Sequence, residues 1–322
     1  MNTWRDIFKV NFRQWDKLAD FLELDSDKRG FILKNSRFAL NVPLRLAQKM
    51  AKNDLSCPVL KQFLPTIVEE KRSLNYVADP VNDAQFRCTS KLLQKYEGRV
   101  LLVCTSVCAM HCRYCFRQNY DYDCEQKGFQ KEVEMIQGDS SIHEVILSGG
   151  DPLSLSNRTL TELLDKLNAI SHLKRIRFHT RFPIGIPERI DKEFVDLLAD
   201  SRCSIWFVIH SNHSHELDED ILVHLEKLRK RGIVLLNQTV LLKDVNDNEE
   251  ALYQLCRKLS DNGILPYYLH QLDKVDGAAH FEVDEAAGHV LIRQLSARLP
   301  GYAVPKYVRE IAGEKNKTNL LS

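Results

Sequence analysis

The feature that most limits what this chain can fold into is an alternation that begins near Arg99. Short runs rich in β-branched and apolar residues at 99–105, 143–148, 174–179, 204–209, 233–241 and 265–271 take turns with amphipathic stretches of helical length. Those stretches cover 129–138, 157–170, 187–199, 217–231, 248–262 and 284–299. Runs that are apolar throughout are buried on both faces, and strands of that kind separated by helices build a parallel sheet. Pro187 stands at a first helical turn, while Gly232 and Gly263 follow last turns, the usual punctuation of helix starts and stops. Six βα units result, a pattern that suits either an incomplete barrel or an open doubly wound sheet. Ahead of them, residues 1 to about 75 read as helices, because Trp4, Ile7, Phe8, Phe12, Trp15, Leu18 and Phe21 recur at three- and four-residue steps. The tail after Gly313 is polar.

The first run leads directly into Cys108-Ala-Met-His-Cys112-Arg-Tyr-Cys115, a C-x3-C-x2-C loop at the carboxyl end of the first strand, where α/β folds place their chemistry. The nine cysteines (57, 88, 104, 108, 112, 115, 124, 203 and 256) form an odd set in a 322-residue chain, which points to metal or reactive thiols rather than to disulfides. Three thiolates on one loop can hold three corners of a [4Fe–4S] cube and leave one iron open. A zinc site would need a fourth ligand, for which His111 is at hand, and an electron carrier uses four cysteines. After the second run come Ser148, Gly149, Gly150 and Asp151; glycines let a ligand approach backbone closely, and Asp151 could otherwise cap the next turn.

Composition removes other classes. With 45 Lys+Arg against 44 Asp+Glu, a net charge of +1 and no basic stripe, nothing marks a nucleic-acid surface. No apolar run approaches the roughly 18 residues of a membrane span. The N-terminal MNTWRDIFKVNFRQWDKLADF lacks the apolar core of a secretory signal, so a cytoplasmic location is expected.

The cysteine spacing, with Tyr114 just before the last cysteine, resembles the signature of radical S-adenosylmethionine (SAM) enzymes. Further segments resemble the lysine 2,3-aminomutase family: ADP at 78–80, KYEGRVLLV at 95–103, CRYCFR at 112–117, LSGGDPL at 147–153, LNQTVLLKDVND at 236–247, LDKVDGAAHF at 272–281 and PGYAVPKYVREIAGEKNKT at 300–318. The resemblance is strongest to the bacterial branch that acts with translation elongation factor P, and it extends there to the N-terminal region. It implies an α/β fold, an incomplete (β/α)6 radical SAM barrel over 76–300. An N-terminal helical region (1–75) would precede the barrel and a C-terminal pyridoxal phosphate (PLP) lysine segment (301–322) would follow it.

What the resemblance implies for chemistry is specific. Cys108, Cys112 and Cys115 would hold the [4Fe–4S] cluster. SAM on its open iron would yield a 5′-deoxyadenosyl radical, and PLP would hold the substrate amine as an imine through which nitrogen migrates. Ser148, Gly149, Gly150, Asp151, Arg181, His210 and Gln238 would contact SAM. Lys95, Tyr96 and Arg99 would hold the PLP phosphate, Arg suiting it through its planar fork. Lys317 would be the PLP lysine, with Lys315 the alternative because the family's glycine run is eroded to Gly313-Glu314-Lys315-Asn316. Arg117 would take the substrate carboxylate, and Asp273 and Glu310 the ε-ammonium; free-lysine enzymes generally have Asp where Glu310 stands.

Plainer roles compete for several of these residues: a solvated helix-end cation for Lys95, a strand-end cap for Asp273, an ion pair with Arg309 or Lys306 for Glu310, and a local hydrogen bond for His210. The branch implies conversion of (S)-α-lysine to (R)-β-lysine, which a ligase resembling lysyl-tRNA synthetase attaches to elongation factor P. It also implies no direct contact with nucleic acid or membrane. No cysteine follows Cys256, so a monomer or dimer without structural zinc is expected. The alternatives are an iron–sulfur redox sensor without catalysis and an aminomutase for another amino acid. Two anions at the side-chain end speak against glutamate.

Overall fold

The computed structural model describes residues 3–122 and 128–320, and Cys124 lies outside the described residues. Its sheet runs in the order β1 (Leu92–Tyr96), β2 (Arg99–Val103), β3 (Glu144–Ser148), β4 (Arg175–Thr180), β5 (Ser204–His210), β6 (Val234–Val240), β7 (Leu265–His270), β8 (Lys306–Arg309) and β9 (Thr318–Asn319). Strands β2 to β8 are parallel, and an antiparallel partner closes each end. The strand order never reverses, so the crossover helices all fall on one face, the winding of a barrel rather than of a doubly wound sheet. Among the described residues β1 and β9 do not pair with each other, and the barrel stays open along that seam.

The crossovers are α1 (Gln130–Gly138), α2 (Asn157–Asn168), α3 (Lys192–Ala199), α4 (Glu219–Arg229), α5 (Glu249–Asp261) and α6 (Glu285–Arg298). Ser156, Asp191, Asp218, Asn248 and Asp284 cap α2 to α6 by accepting first-turn N–H groups, which fixes where each helix starts. The stretch expected as one helix over 187–199 is divided. A single 3-10 turn at Pro187–Arg189 ends at Ile190, and the Asp191 cap restarts the chain as α3.

Alternation along the strands separates two environments. Phe178 and Phe207 face the helices and meet Phe194 of α3, with ring centroids 6.1–6.3 Å apart. His179, His210, Gln238, Tyr268 and His270 fall on the concave side and touch one another there.

The N-terminal region is less helical than its periodicity suggests. Five helices of four to seven residues (Trp4–Lys9, Trp15–Phe21, Ser26–Arg29, Leu44–Gln48, Pro58–Lys61) are separated by turns, with Glu23 and Asn53 at positive φ. Pro43 and Pro58 stand at helix starts, where a missing N–H does no harm and a preceding helix cannot continue. Leu18, Leu46, Leu60 and Phe63 are buried in the same apolar core as the strands. Among the described residues no helix is long and apolar enough to cross a membrane.

Candidate active site

The cysteine loop follows β2 and is fastened by the N-terminal region. Asn41 Nδ2 donates to Cys108 O (3.0 Å), Asn11 Nδ2 to Ala109 O (2.7 Å) and His111 N to Asn41 O (2.9 Å). Arg113, inside the motif and 2% exposed, donates through Nε to Glu69 Oε1 (2.9 Å), through Nη1 to Phe38 O (2.6 Å) and through Nη2 to Ser36 Oγ (2.8 Å) and the second Glu69 oxygen. His111 has its Nδ1 2.8 Å from Ala39 O and its ring on Phe38, so the residue weighed as a fourth zinc ligand is engaged with the N-terminal region.

Burial pushes the thiols of Cys108 and Cys115 up, the latter to about 11, and the neighbouring cysteines push them further. The three thiols therefore sense one another. Among the described residues, however, no three His, Cys, Asp or Glu side chains converge where one ion could be held. A zinc ion needs such a point. A cubane places each cysteine on a different iron, and three half-buried free thiols on one loop fit that larger body.

The Gly-Gly turn after β3 is demanded by this loop. Gly149 sits at φ +112°, and a Cβ there would lie 2.9 Å from Val103 Cγ1; a Cβ on Gly150 would lie 2.6 Å from Val107 O and 2.8 Å from Val107 N. Gly150 N donates to Thr105 O (2.6 Å) and Asp151 N to Val107 O (2.8 Å). The cysteine loop's backbone thus packs directly against both glycines. The buried carboxylate of Asp151 accepts from Thr180 Oγ1 (2.7 Å), Arg181 N (2.7 Å), Phe182 N (2.9 Å) and Leu153 N (3.1 Å). Those donors make it the brace of the β4 exit and the cap of its own turn.

Arg181, held by that brace, reaches back to the cysteines. Its Nη1 lies 2.8 Å from Cys112 Sγ and bonds Tyr114 Oη, and its Nη2 donates to Gln62 Oε1 and Glu216 Oε2, both at 2.7 Å. On the concave face the Gln238 amide donates to His210 Nε2 (2.5 Å) and accepts from His270 Nε2 (3.1 Å), with His179 Nδ1 at 3.3 Å. Burial pushes all three imidazoles down, His210 to about 3, and the charge of Lys317 adds to the effect. Burial thus favours the uncharged form of each ring. His270 was missed by motif reading; period-two spacing from Tyr268 along LPYYLH is the signal that places it inside.

The remaining candidates gather at the barrel's seam. Val308 pairs with Asn319 and Arg309 with Thr318, and the same register sets Glu310 opposite Lys317, whose Nζ donates to Glu310 Oε2 at 2.7 Å. Opposite charges at facing positions of a hairpin stabilise one another. Lys315 is exposed on the hairpin tip. From the other edge, Tyr96 Oη donates to Glu310 Oε1 (2.6 Å) and Lys95 Nζ lies 3.7 Å from the same oxygen.

The Arg99 guanidinium lies over the Tyr96 ring at 4.5 Å, while Lys95 sits in a strand between carboxylates rather than at a helix end. Its nearer partner is Asp83, at 2.8 Å, whose other oxygen accepts from Arg117 Nε at 2.8 Å. Arg117 Nη1 lies 3.4 Å from Ser148 Oγ. Asp273, half-buried after β7, feels Lys317, Glu310, Lys95 and Asp83. Side chains, rather than a backbone ladder, thus link the two edges of the open sheet.

Comparison with known proteins shows the family and the fold. A family described as a 4Fe-4S single cluster domain matches residues 96–199. The L-lysine 2,3-aminomutase of Escherichia coli (strain K12) is 41% identical over 95% of this chain and 90% of its own. That of Haemophilus influenzae is 40% identical over 98% and 94%, and that of Clostridium subterminale 30% identical over 99% and 78%. Among solved structures, Streptococcus suis SuiB bound to S-adenosylmethionine aligns with a TM-score of 0.52 at 16% identity, covering 67% of this chain and 51% of that one. A radical SAM methyltransferase from Sphaerobacter thermophilus aligns with a TM-score of 0.50 at 16% identity, covering 67% and 68%. At such identities the two structures share the fold, a partial α/β barrel.

Proposed function

This chain belongs to the L-lysine 2,3-aminomutase family, and on that premise we propose that it is a radical SAM, PLP-dependent isomerase that converts (S)-α-lysine to (R)-β-lysine for the β-lysylation of elongation factor P. The observation that carries the proposal is the gathering at the seam: an arginine, Arg117, and the carboxylates Asp273 and Glu310, with Lys317 facing Glu310 just ahead of the last strand. Lysine is a substrate with an anion at one end and a cation at the other, and this set of charges complements it.

In this reading Cys108, Cys112 and Cys115 hold the cluster. Ser148, Gly149, Gly150, Asp151, Arg181, His210 and Gln238 border SAM, while Lys317, Tyr96, Arg99 and Lys95 border PLP. The cluster with SAM supplies a hydrogen-abstracting radical, and PLP supplies a π system through which nitrogen can move. The chain's own groups do the rest. Arg117 orients the carboxylate through paired N–H donors, and Glu310 and Asp273 fix the ammonium. His179, His210 and His270, whose charged forms burial disfavours, give the concave wall polarity. Destination at elongation factor P rests on the likeness to the short bacterial branch, and the chain covers 90–94% of the Escherichia coli and Haemophilus proteins against 78% of the clostridial one.

The test is anaerobic. The chain is reconstituted with iron, sulfide and PLP, given SAM, a reductant and lysine, and assayed for β-lysine and 5′-deoxyadenosine by mass spectrometry. β-Lysine that disappears in Lys317→Ala and Cys112→Ala supports the proposal, whereas deoxyadenosine without β-lysine refutes the substrate. Adding the factor and its ligase then asks whether the product reaches a lysine of elongation factor P.

A further inference from the structure

Asp83 opens a one-turn 3-10 helix (Asp83–Phe86) and is 1% exposed. The turn is fixed from behind: Asp83 N and Ala84 N donate to the two carboxylate oxygens of Asp79 at 3.0 and 3.1 Å, and Asn82 passes through the left-handed region at φ 54°. The Asp83 carboxylate divides its oxygens between two cations. Oδ2 accepts from Arg117 Nε at 2.8 Å, and Oδ1 lies 2.8 Å from Lys95 Nζ. Lys95 is held in turn by Val81 O (2.7 Å), and the Arg117 guanidinium lies over Phe116 and Tyr120 at 4.7 and 5.8 Å.

The atom through which Arg117 is held decides what it can do next. A guanidinium offers a carboxylate pairs of parallel N–H donors. With Nε engaged, the terminal pair Nη1/Nη2 is the edge left for a ligand, and its one hydrogen-bond contact among the described residues, Ser148 Oγ at 3.4 Å, is too long to hold it.

We infer that Asp83 is a positioning residue: it clamps Arg117 by Nε so that the terminal edge faces the substrate carboxylate, and through Lys95 it ties that setting to Glu310 across the seam. The inference rests on the assignment of Arg117 to the substrate carboxylate. It also opposes what charge alone predicts. An anion 2.8 Å from Arg117 weakens the pull of Arg117 on any other anion, so a purely electrostatic Asp83 would make Asp83→Asn bind lysine more tightly. A positioning Asp83 makes it bind more weakly, because a freed fork must be ordered again by the ligand.

The experiment measures binding to the PLP-loaded chain by calorimetry, with L-lysine and with 1,5-diaminopentane, which keeps both amines and lacks the carboxylate. Asp83→Asn is expected to lose about 10- to 100-fold in lysine affinity and to leave the diamine unchanged. In turnover, KM is expected to rise more than kcat falls. Asp83→Glu keeps the charge but shifts it by a methylene, so it is expected to fall between, and it carries the test should the Asn variant not fold. Unchanged or tighter lysine binding overturns the inference, as does an equal loss for both ligands, which marks a general structural role. A wild-type chain that does not prefer lysine to the diamine refutes the Arg117 assignment itself.

Discussion

Asp273 is the carboxylate whose burial is least compensated, and replacing it separates its effect on stability from its effect on function. Burial, opposed by Lys317 and reinforced by Glu310, lifts its carboxyl from the ordinary 3.8 to about 6. That lift corresponds to ~3 kcal/mol at neutral pH, and the water contact left to a half-buried side chain reduces it to about 1–2 kcal/mol. Between these two pH values the folded chain keeps a proton that the unfolded chain has released. Stability therefore falls as pH rises through the window, and the whole cost is present above it. Asp273→Asn keeps the shape and removes the charge. Scanning calorimetry on the ligand-free protein at about pH 4, 6 and 8 is expected to show equal melting for the two proteins at the lowest pH and the variant melting about 1–3 °C higher at the highest. The same variant should lose most lysine turnover, having lost one of the two anions assigned to the ammonium. A variant less stable than wild type at pH 8, or a difference that does not change with pH, refutes the reasoning.

Glu69→Ala leaves Arg113 buried with half its partners, so urea unfolding is expected to show a loss of about 3 kcal/mol and the reconstituted protein to retain less iron. The double change Glu69→Leu with Arg113→Met should recover most of the stability, and failure to recover would point to a role beyond charge pairing. Gly150→Ala drives a methyl group into the Val107 backbone and should displace the cysteine loop, read as a lower iron-to-protein ratio; full iron content in a stable variant would contradict this packing. Gly288→Ala on α6 overlaps the Tyr307 ring and should cost about 1–3 kcal/mol, relieved by Tyr307→Leu.

How much of this was legible in the sequence depends on the range of the physics. Strands β2 to β7 and helices α1 to α6 lie within a few residues of the expected runs, because period and capping are local signals. Strands β1 (LLQKY) and β8 (KYVR), half polar and five and four residues long, have no periodicity that stands out, and only their neighbours in the sheet make them strands. The three cysteines are legible from spacing alone. Lys317 is singled out only through family resemblance, and its pairing with Glu310 has no sign in composition, where it is one more lysine in a polar tail. The partners of the site were not legible at all: Gln62 and Glu216 meet Arg181 from 119 and 35 residues away, and Asp83 meets Arg117 from 34. Side chains brought together by tertiary folding leave no pattern in sequence.

The hairpin that carries Glu310 and Lys317 bears on how this family can change. Their facing positions are set by the ladder of β8 and β9, not by the exposed residues 311–316 that join them. A doubling of such a tip costs only about 0.6 kcal/mol in closure entropy. Glycines can therefore be exchanged for Glu314 and Lys315, residues can be added, or a reporter can be grafted there, while the two facing groups keep their spacing. The tip is where drift in length and composition is tolerated, one residue away from groups that tolerate almost none.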